Sequence, residues 1–300
     1  MTSEYPPRAP ENGASFTDDT HAEAYPFLRS ATHANHRVLI TGGSRGIGRA
    51  IALSFAGTGA QAIAIADIAT SFGDLASDLN AAAARNGNQP PQVILTQVDV
   101  TSEESVRQCA RIVKEEFEGQ LDVLVNNAGF MTPAASVPDA NAGLWWRTME
   151  VNLKGVFHMA KYFIPLLKAT PDGPRTLINI NSVAAHNLRP MASAYGTSKF
   201  AVLKLTEFLM VEAKDSGLVA YSVHPGAVLT ELAEKGMPRS TLAGLTDSVD
   251  LAGATVAWLS SEKREWLAGR YISATWDMEE ILRRKDEIVA GDKLKVRLVV

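Results

Sequence analysis

Cysteine is almost missing from this 300-residue chain: Cys109 stands alone, so an intrachain disulfide, a thiolate metal cluster and a secreted disulfide framework are all excluded. An excess of one charge is missing too. Against 33 Asp and Glu there are 29 Lys and Arg, for a net charge of -4, and the two signs are intermixed without the basic stripe that a nucleic-acid partner requires. No stretch of about 18 uninterrupted apolar residues occurs, and the opening MTSEYPPRAPENGASFTDDT lacks a basic start followed by an apolar run. Neither secretion nor membrane insertion is expected, and a cytoplasmic setting is compatible with the lone thiol. Internal repeats and low-complexity tracts are absent, and no His/Asp/Glu cluster has metal-ligand spacing, so no catalytic metal is implied.

What is present is apolar sequence in a regular rhythm. At 46% apolar residues the chain can bury the core of one large α/β domain. Residues 1–35 are rich in Pro, Ser, Thr, Asn and Ala without an apolar period and read as an irregular or partly ordered arm. A domain over 36–275 follows, and residues 276–300 extend it. Short β-branched runs at 37–40, 62–67, 93–95, 121–125, 176–181, 218–224 and 270–273 alternate with longer helix-like stretches. Seven parallel strands are predicted, with helices on both faces because parallel strands need crossovers.

After the first strand comes Thr41-Gly42-Gly43-Ser44-Arg45-Gly46-Ile47-Gly48, and then a helix. Gly42 permits a tight turn, Gly46 allows the backbone to approach a pyrophosphate, and Gly48 lets the helix lie close to the sheet with its N-terminus toward the anion. The alternative is a glycine-rich turn without a ligand. The motif resembles the TGxxxGIG signature of the short-chain dehydrogenase/reductase family, and the resemblance spans roughly residues 36–275. It implies a doubly wound, Rossmann-type sheet of seven strands and an oxidoreductase that uses NAD or NADP. Asn126-Asn127-Ala128-Gly129 matches the family's NNAG segment, placing Asn126, Ala128 and Gly129 beside an adenine ribose. Within the turn, Ser44, Arg45 and Ile47 join the glycines as dinucleotide contacts. Asp99 and Val100, in Val98-Asp99-Val100, match residues that meet the adenine, although Asp99 also reads as a cap for the helix beginning at 101–104. Asp67, ending the second strand, would accept hydrogen bonds from the ribose hydroxyls and repel a 2'-phosphate, which favours NAD. Arg45 could instead meet that phosphate, and no basic residue follows Asp67.

Tyr195 and Lys199 stand four residues apart in a stretch of helical period, so both share one face. Ser182 precedes the tyrosine by thirteen residues, and Asn152 falls in the helix before that strand. The four match the family's catalytic set. Hydride arriving at a carbonyl carbon leaves charge on oxygen, which a positioned hydroxyl must protonate. Tyr195 is the candidate acid, its phenol drawn toward working pH by the Lys199 ammonium. Lys199 would also bond the nicotinamide ribose, Ser182 orient the substrate oxygen and Asn152 position a proton-relaying water. Ser182 as a loop cap and Asn152 bonded to its own backbone are the bland alternatives. Downstream, Pro225 and Gly226 resemble the segment bordering the nicotinamide, where Val228 through its backbone and Thr230 through its hydroxyl would hold the carboxamide. His158, His186 and His224 read as structural.

The cleft is expected between residues 184–191, Phe130, Met131 and a lid over 232–246 whose alternative is a disordered loop. Its apolar content points to a ketone or secondary alcohol of a medium-sized, fairly apolar molecule. Trp145 and Trp146 begin a long helix as core or subunit-contact residues. The family resemblance implies a homodimer or homotetramer through the helices around Asn152 and Tyr195. The tail resembles those of a branch in filamentous fungi linked to secondary metabolism; covering an apolar surface or a neighbouring subunit is its other reading. A dinucleotide-binding sensor or scaffold without chemistry is the competing function.

Overall fold

A computed structural model describes residues 13–298. Strands β1 (Arg37–Thr41), β2 (Ala62–Asp67), β3 (Gln92–Gln97), β4 (Val123–Asn126), β5 (Thr176–Ile180), β6 (Val219–His224) and β7 (Tyr271–Ser273) form one sheet in the order β3-β2-β1-β4-β5-β6-β7. Every pairing is parallel. The sheet is thus parallel, as the alternation of apolar runs predicts, and doubly wound, as the family resemblance implies. Helices α1 (Gly46–Gly57), α2 (Leu75–Arg85), α3 (Glu103–Glu116), α4 (Ala142–Met149), α5 (Gly155–Ala169), α6 (Ser193–Glu212), α7 (Glu231–Gly236), α8 (Arg239–Leu242), α9 (Val249–Ser260), α10 (Met278–Arg283) and α11 (Lys285–Ala290) connect and flank it.

Successive strand residues point to opposite faces, and this splits the core in two. Val38, Ile40, Ile63, Ile65, Val123 and Val125 face a layer with Ile51 and Phe55 of α1, Leu79 of α2 and Leu251 and Trp258 of α9. Leu39, Ala64, Leu124 and Leu177 face Val106 and Cys109 of α3, Met159 and Phe163 of α5 and Leu209 of α6. Burial pushes the Cys109 thiol up to about 12 and leaves it an inert packing group. Because the chain moves outward from β1 to β3 and then restarts at β4 on the other side of β1, a crevice opens at the carboxyl ends of β1 and β4.

The structure departs from the sequence reading at three places. The expected long helix from Trp145 is α4 and α5 joined by one wide π-turn, Glu150–Lys154. Asp99 is not the cap of α3; Ser102 is, accepting from Ser105 N. The part of the arm described is packed rather than irregular: Pro26–Ser30 is a 3-10 helix, Leu28 and His33 are buried, and Thr20 bridges Trp276. Residues 1–12 lie outside the described residues. No described helix is long and apolar enough to cross a membrane.

Candidate active site

The crevice begins with the glycine turn. Gly42 and Gly46 both have positive φ, +63° and +54°, where a side chain is strained. A Cβ at Gly42 would lie 2.9 Å from Ala128 Cα, and one at Gly48 would collide with the Gly42 carbonyl and the Asn127 amide. Gly48 is therefore needed to bring α1 against the turn, and at Gly46 the nearest heavy atom is Thr230 Cγ2 at 3.9 Å, leaving room beside the helix N-terminus. Ile47 packs its side chain on the core, which fixes the first turn of α1.

Two residues that motif matching did not single out hold the turn to the NNAG segment. Thr41 Oγ1 accepts from Asn127 N and Ala128 N, each at 3.0 Å, and Asn127 Nδ2 donates to the Thr41 and Gly42 carbonyls at 2.9 Å. Both lie inside the motifs, Thr41 opening the glycine turn and Asn127 within NNAG, but neither is assigned a role there. Asn126 donates to Asn179 Oδ1 at 2.8 Å, tying β4 to β5, and Gly129 lies 3.7 Å, measured from its would-be Cβ, from Leu232 of the lid.

On the other side of β1, Asp67 is buried with both oxygens engaged: Oδ2 accepts from Ser44 N at 2.9 Å and Oδ1 from Ala69 N at 3.1 Å. Its negative charge thus sits beside the turn backbone. Arg45 is exposed and paired at 2.9 Å with Glu231 at the start of α7. Asp99 accepts from Thr101 N and Oγ1 and faces Arg147 at 3.8 Å, an arrangement that holds its carboxyl below the usual range against the opposing effect of burial. Val100 is buried against the start of α5, where its side chain fills the space above Gly155, and its carbonyl accepts from His158 Nδ1 at 2.9 Å.

At the carboxyl end of β5, Ser182 caps a 3-10 turn by accepting from Ala184 N at 3.2 Å and also hydrogen-bonds the Tyr195 hydroxyl. Tyr195 and Lys199 share one face of α6, with Lys199 Nζ 5.6 Å from the tyrosine ring centroid. The lysine is buried, donates to the Ile180 carbonyl at 2.8 Å, and is lowered to about 8 by that burial. Burial also pushes the phenol up to about 12, opposed by the Ser182 hydrogen bond. This differs from the sequence expectation of a phenol lowered by the lysine. Desolvation dominates at the phenol, while Nζ donates to the Ile180 carbonyl.

Asn152 stands in the π-turn, a helix irregularity common where a side chain must be aimed. Its amide is used within the protein but not on its own backbone: Nδ2 donates to the Phe130 carbonyl and Ser198 Oγ, both at 2.9 Å, and Oδ1 accepts from Phe130 N at 2.8 Å. Ser198 in turn donates to the Tyr195 carbonyl at 2.7 Å. The segment after NNAG, the π-turn and α6 are thereby one unit.

The far wall is the Pro225-Gly226 segment. Pro225, Gly226 and Val228 are buried, Gly226 has φ +95°, and Thr230 caps α7 by accepting from Ala233 N. Asp247 holds this wall, accepting from Ala227 N at 2.6 Å; twenty residues separate the two, and nothing in the local sequence announces the contact. The expected lid over 232–246 is two short helices, α7 and α8, with Gly236 packed on Met131. Trp145 bonds Ser193 Oγ at 3.2 Å beside α6, and Trp146 is exposed. Among the described residues no group of three or more His, Cys, Asp or Glu is placed to hold a metal ion.

A turn that only glycines permit, a helix N-terminus and an aligned Tyr-Lys-Ser set describe one family, and its model, that of short chain dehydrogenases, matches residues 36–239. The chain belongs to the short-chain dehydrogenase/reductase family. This is a family of oxidoreductases that bind NAD or NADP. Among curated members, a short chain dehydrogenase of Monascus purpureus, mpl6, is 44% identical over 99% of this chain and 99% of its own length. Another, andI of Emericella variicolor, is 37% identical over 95% of this chain and 97% of its own. Of the solved structures, a short-chain type dehydrogenase/reductase from Mycobacterium marinum has a TM-score of 0.69 at 28% identity, covering 81% of this chain and 94% of its own. An alcohol dehydrogenase from the archaeon Thermococcus sibiricus, complexed with 5-hydroxy-NADP, has 0.66 at 26%, covering 79% and 95%.

Proposed function

We propose that this short-chain dehydrogenase/reductase interconverts a ketone and a secondary alcohol of a medium-sized, fairly apolar small molecule, with NAD as the preferred dinucleotide. The observation that carries the reading is the hydrogen bond between Tyr195 and Ser182 with the buried Lys199 alongside. A bound dinucleotide would supply or accept the hydride. The residues fit such a group: Gly42 and Gly48 let α1 and the NNAG segment close on the turn, and Gly46 leaves the α1 N-terminus open. Ser44, Arg45, Gly46 and Ile47 would hold the diphosphate, Asp67 the ribose, Asp99 and Val100 the adenine, and Asn126, Ala128 and Gly129 the second edge of that ribose. Pro225, Gly226, Val228 and Thr230 would border the nicotinamide.

Within the reaction Tyr195 donates its proton to the developing alkoxide, and a phenol held near 12 is protonated throughout the neutral range. Ser182 Oγ orients the carbonyl oxygen toward that hydroxyl. Lys199, charged below about 8, stabilises the phenolate left behind. Since the Asn152 amide is already engaged, holding a water on the path to Lys199 falls to its main-chain carbonyl. Asp67 beside Ser44, and Arg45 occupied by Glu231, together favour NAD over NADP. The apolar wall of Phe130, Met131 and Leu232 suits an apolar substrate, and the fungal sources of the relatives support a role in fungal secondary metabolism. Exposed Phe157, Phe200 and Phe208 on α5 and α6 support pairing of two copies through these helices.

Tyr195→Phe decides the reading. Ketone-dependent oxidation of NADH is expected to fall by about 10²–10⁴-fold while NADH binding, followed by its fluorescence, stays unchanged. Retained turnover sinks the mechanism. Tight NADH binding by the wild type without oxidation across a broad carbonyl panel would favour a non-catalytic sensor.

A further inference from the structure

Residues 13–35 and 276–298 lie outside the stretch matched by the family model, yet they are built into each other and into both walls of the cleft. Trp276 is fully buried and donates from Nε1 to the Gly13 carbonyl at 2.9 Å, His21 N donates to the Thr275 carbonyl at 2.8 Å, and His21 Nε2 meets Asp277 at 2.9 Å. From this clasp a line of rings runs inward. Phe16 packs on Trp276 with centroids 5.2 Å apart, Trp276 meets Tyr271 of β7 edge-on at 5.8 Å, and Tyr271 meets His186 edge-on at 4.7 Å and 89°. His186 belongs to the loop 183–191 that follows Ser182 and faces the substrate. A second limb reaches the opposite wall: the Ala22 carbonyl accepts from Ser248 N at 2.7 Å, next to the Asp247 that holds Ala227.

The ends of the loop are anchored, with Ala185 buried in the core and the Met191 carbonyl accepting from Ala135 N at 3.3 Å, while its middle projects outward. Leu188 is 99% exposed, and Arg189 and Pro190 are exposed too, so its tip contributes nothing to the core. An edge-on ring pair contributes both orientation and packing, and His186 is where the loop receives it. We infer that the arm and tail act as one layer that positions the substrate-facing loop through the Phe16-Trp276-Tyr271-His186 stack, making Tyr271 and His186 positioning residues for the carbonyl substrate. The catalytic part of this inference rests on the loop being a wall of the proposed active site; the mechanical part does not.

Amide hydrogen exchange on the full chain, read by mass spectrometry, tests the mechanical part without any turnover. Tyr271→Leu and His186→Ala are expected to raise exchange in 183–191 about tenfold while leaving 37–48 at the wild-type rate, and Tyr271→Phe and His186→Phe, which keep a ring edge, to restore it. Steady-state oxidation of NADH with 9,10-phenanthrenequinone as the probe carbonyl then gives the catalytic part. The quinone KM is expected to rise about five- to tenfold in Tyr271→Leu and His186→Ala, with kcat and the NADH dissociation constant within twofold of wild type. Unchanged exchange in 183–191 in both variants, or a rise spread evenly over β5 and β6, overturns the inference, and so does a fall in kcat at constant KM. A wild type inert toward carbonyls would count against the proposed reaction alone, since the exchange pattern still decides whether the layer holds the loop.

Discussion

Lys199 holds its charge where the surroundings oppose it. The unfolded chain keeps that proton up to about 10.5, whereas the folded chain releases it from about 8. Folding is therefore penalised below 8, and the penalty fades as pH rises from 8 to 10.5. The full penalty corresponds to about 3 kcal/mol, and removing the ammonium would strand the Ile180 carbonyl at a loss of about 1–2 kcal/mol. Lys199→Met is thus expected to stabilise the protein by ~1–2 kcal/mol at pH 7 and to lose most turnover, checked by urea unfolding beside an activity assay. A variant less stable than wild type would show that the burial penalty is misjudged. The same titration gives ketone reduction a limb: kcat/KM should fall as pH rises past about 8, when the ammonium beside Tyr195 is lost.

At the scale of elements, the π-turn and the lid decide how the site is assembled. Asn152 lies in the wide turn, and its three hydrogen bonds, two to Phe130 and one to Ser198, lock the loop after β4 to α6. The lid is linked to the glycine turn by Arg45 and Glu231, and Lys235 adds a second partner for the same carboxylate, which holds it below the usual range. Exposed pairs of this kind contribute little, but on the proposed reading this one occupies the guanidinium that would meet a 2'-phosphate. Glu231→Gln should therefore tighten NADPH relative to NADH about two- to fivefold, an effect limited by solvent screening. Equilibrium titrations followed by nucleotide fluorescence would read it, and an unchanged ratio would free Glu231 of any part in cofactor choice.

For the molecule as a whole, the arm is a source of acid sensitivity. His33 is fully buried, packs edge-on against Phe55 at 4.7 Å, bonds Thr58 Oγ1 at 2.9 Å and lies 3.3 Å from Ser260 Oγ. Burial, helped by the neighbouring His36, lowers it to about 3. The unfolded chain takes up a proton near 6.5 that the folded chain refuses, so this contribution to stability is present above 6.5 and is lost as pH falls toward 3. The expected slope is about 1.4 kcal/mol per pH unit, and His33→Gln should remove it. Urea midpoints at pH 7 and pH 5 for both proteins test this; equal slopes would move the acid sensitivity elsewhere, to the half-buried His36 among others.

How much of this was legible beforehand follows from the range of the forces involved. Parallel strands buried on both faces must be continuous apolar runs, and crossovers must be helical, so the seven strands could be read from local pattern, while their winding came from the family resemblance. Gly42, Gly46 and Gly48 could be read because their requirement is steric and lies within one turn, and Tyr195 and Lys199 because a helix brings residues four apart to one face. The π-turn at Asn152, the grip of Asp247 on Ala227, the high phenol and low ammonium, and the clasp of Trp276 on Gly13 could not. Each depends on which groups from distant parts of the chain exclude water or supply a partner, and that is decided only when the sheet has brought them together.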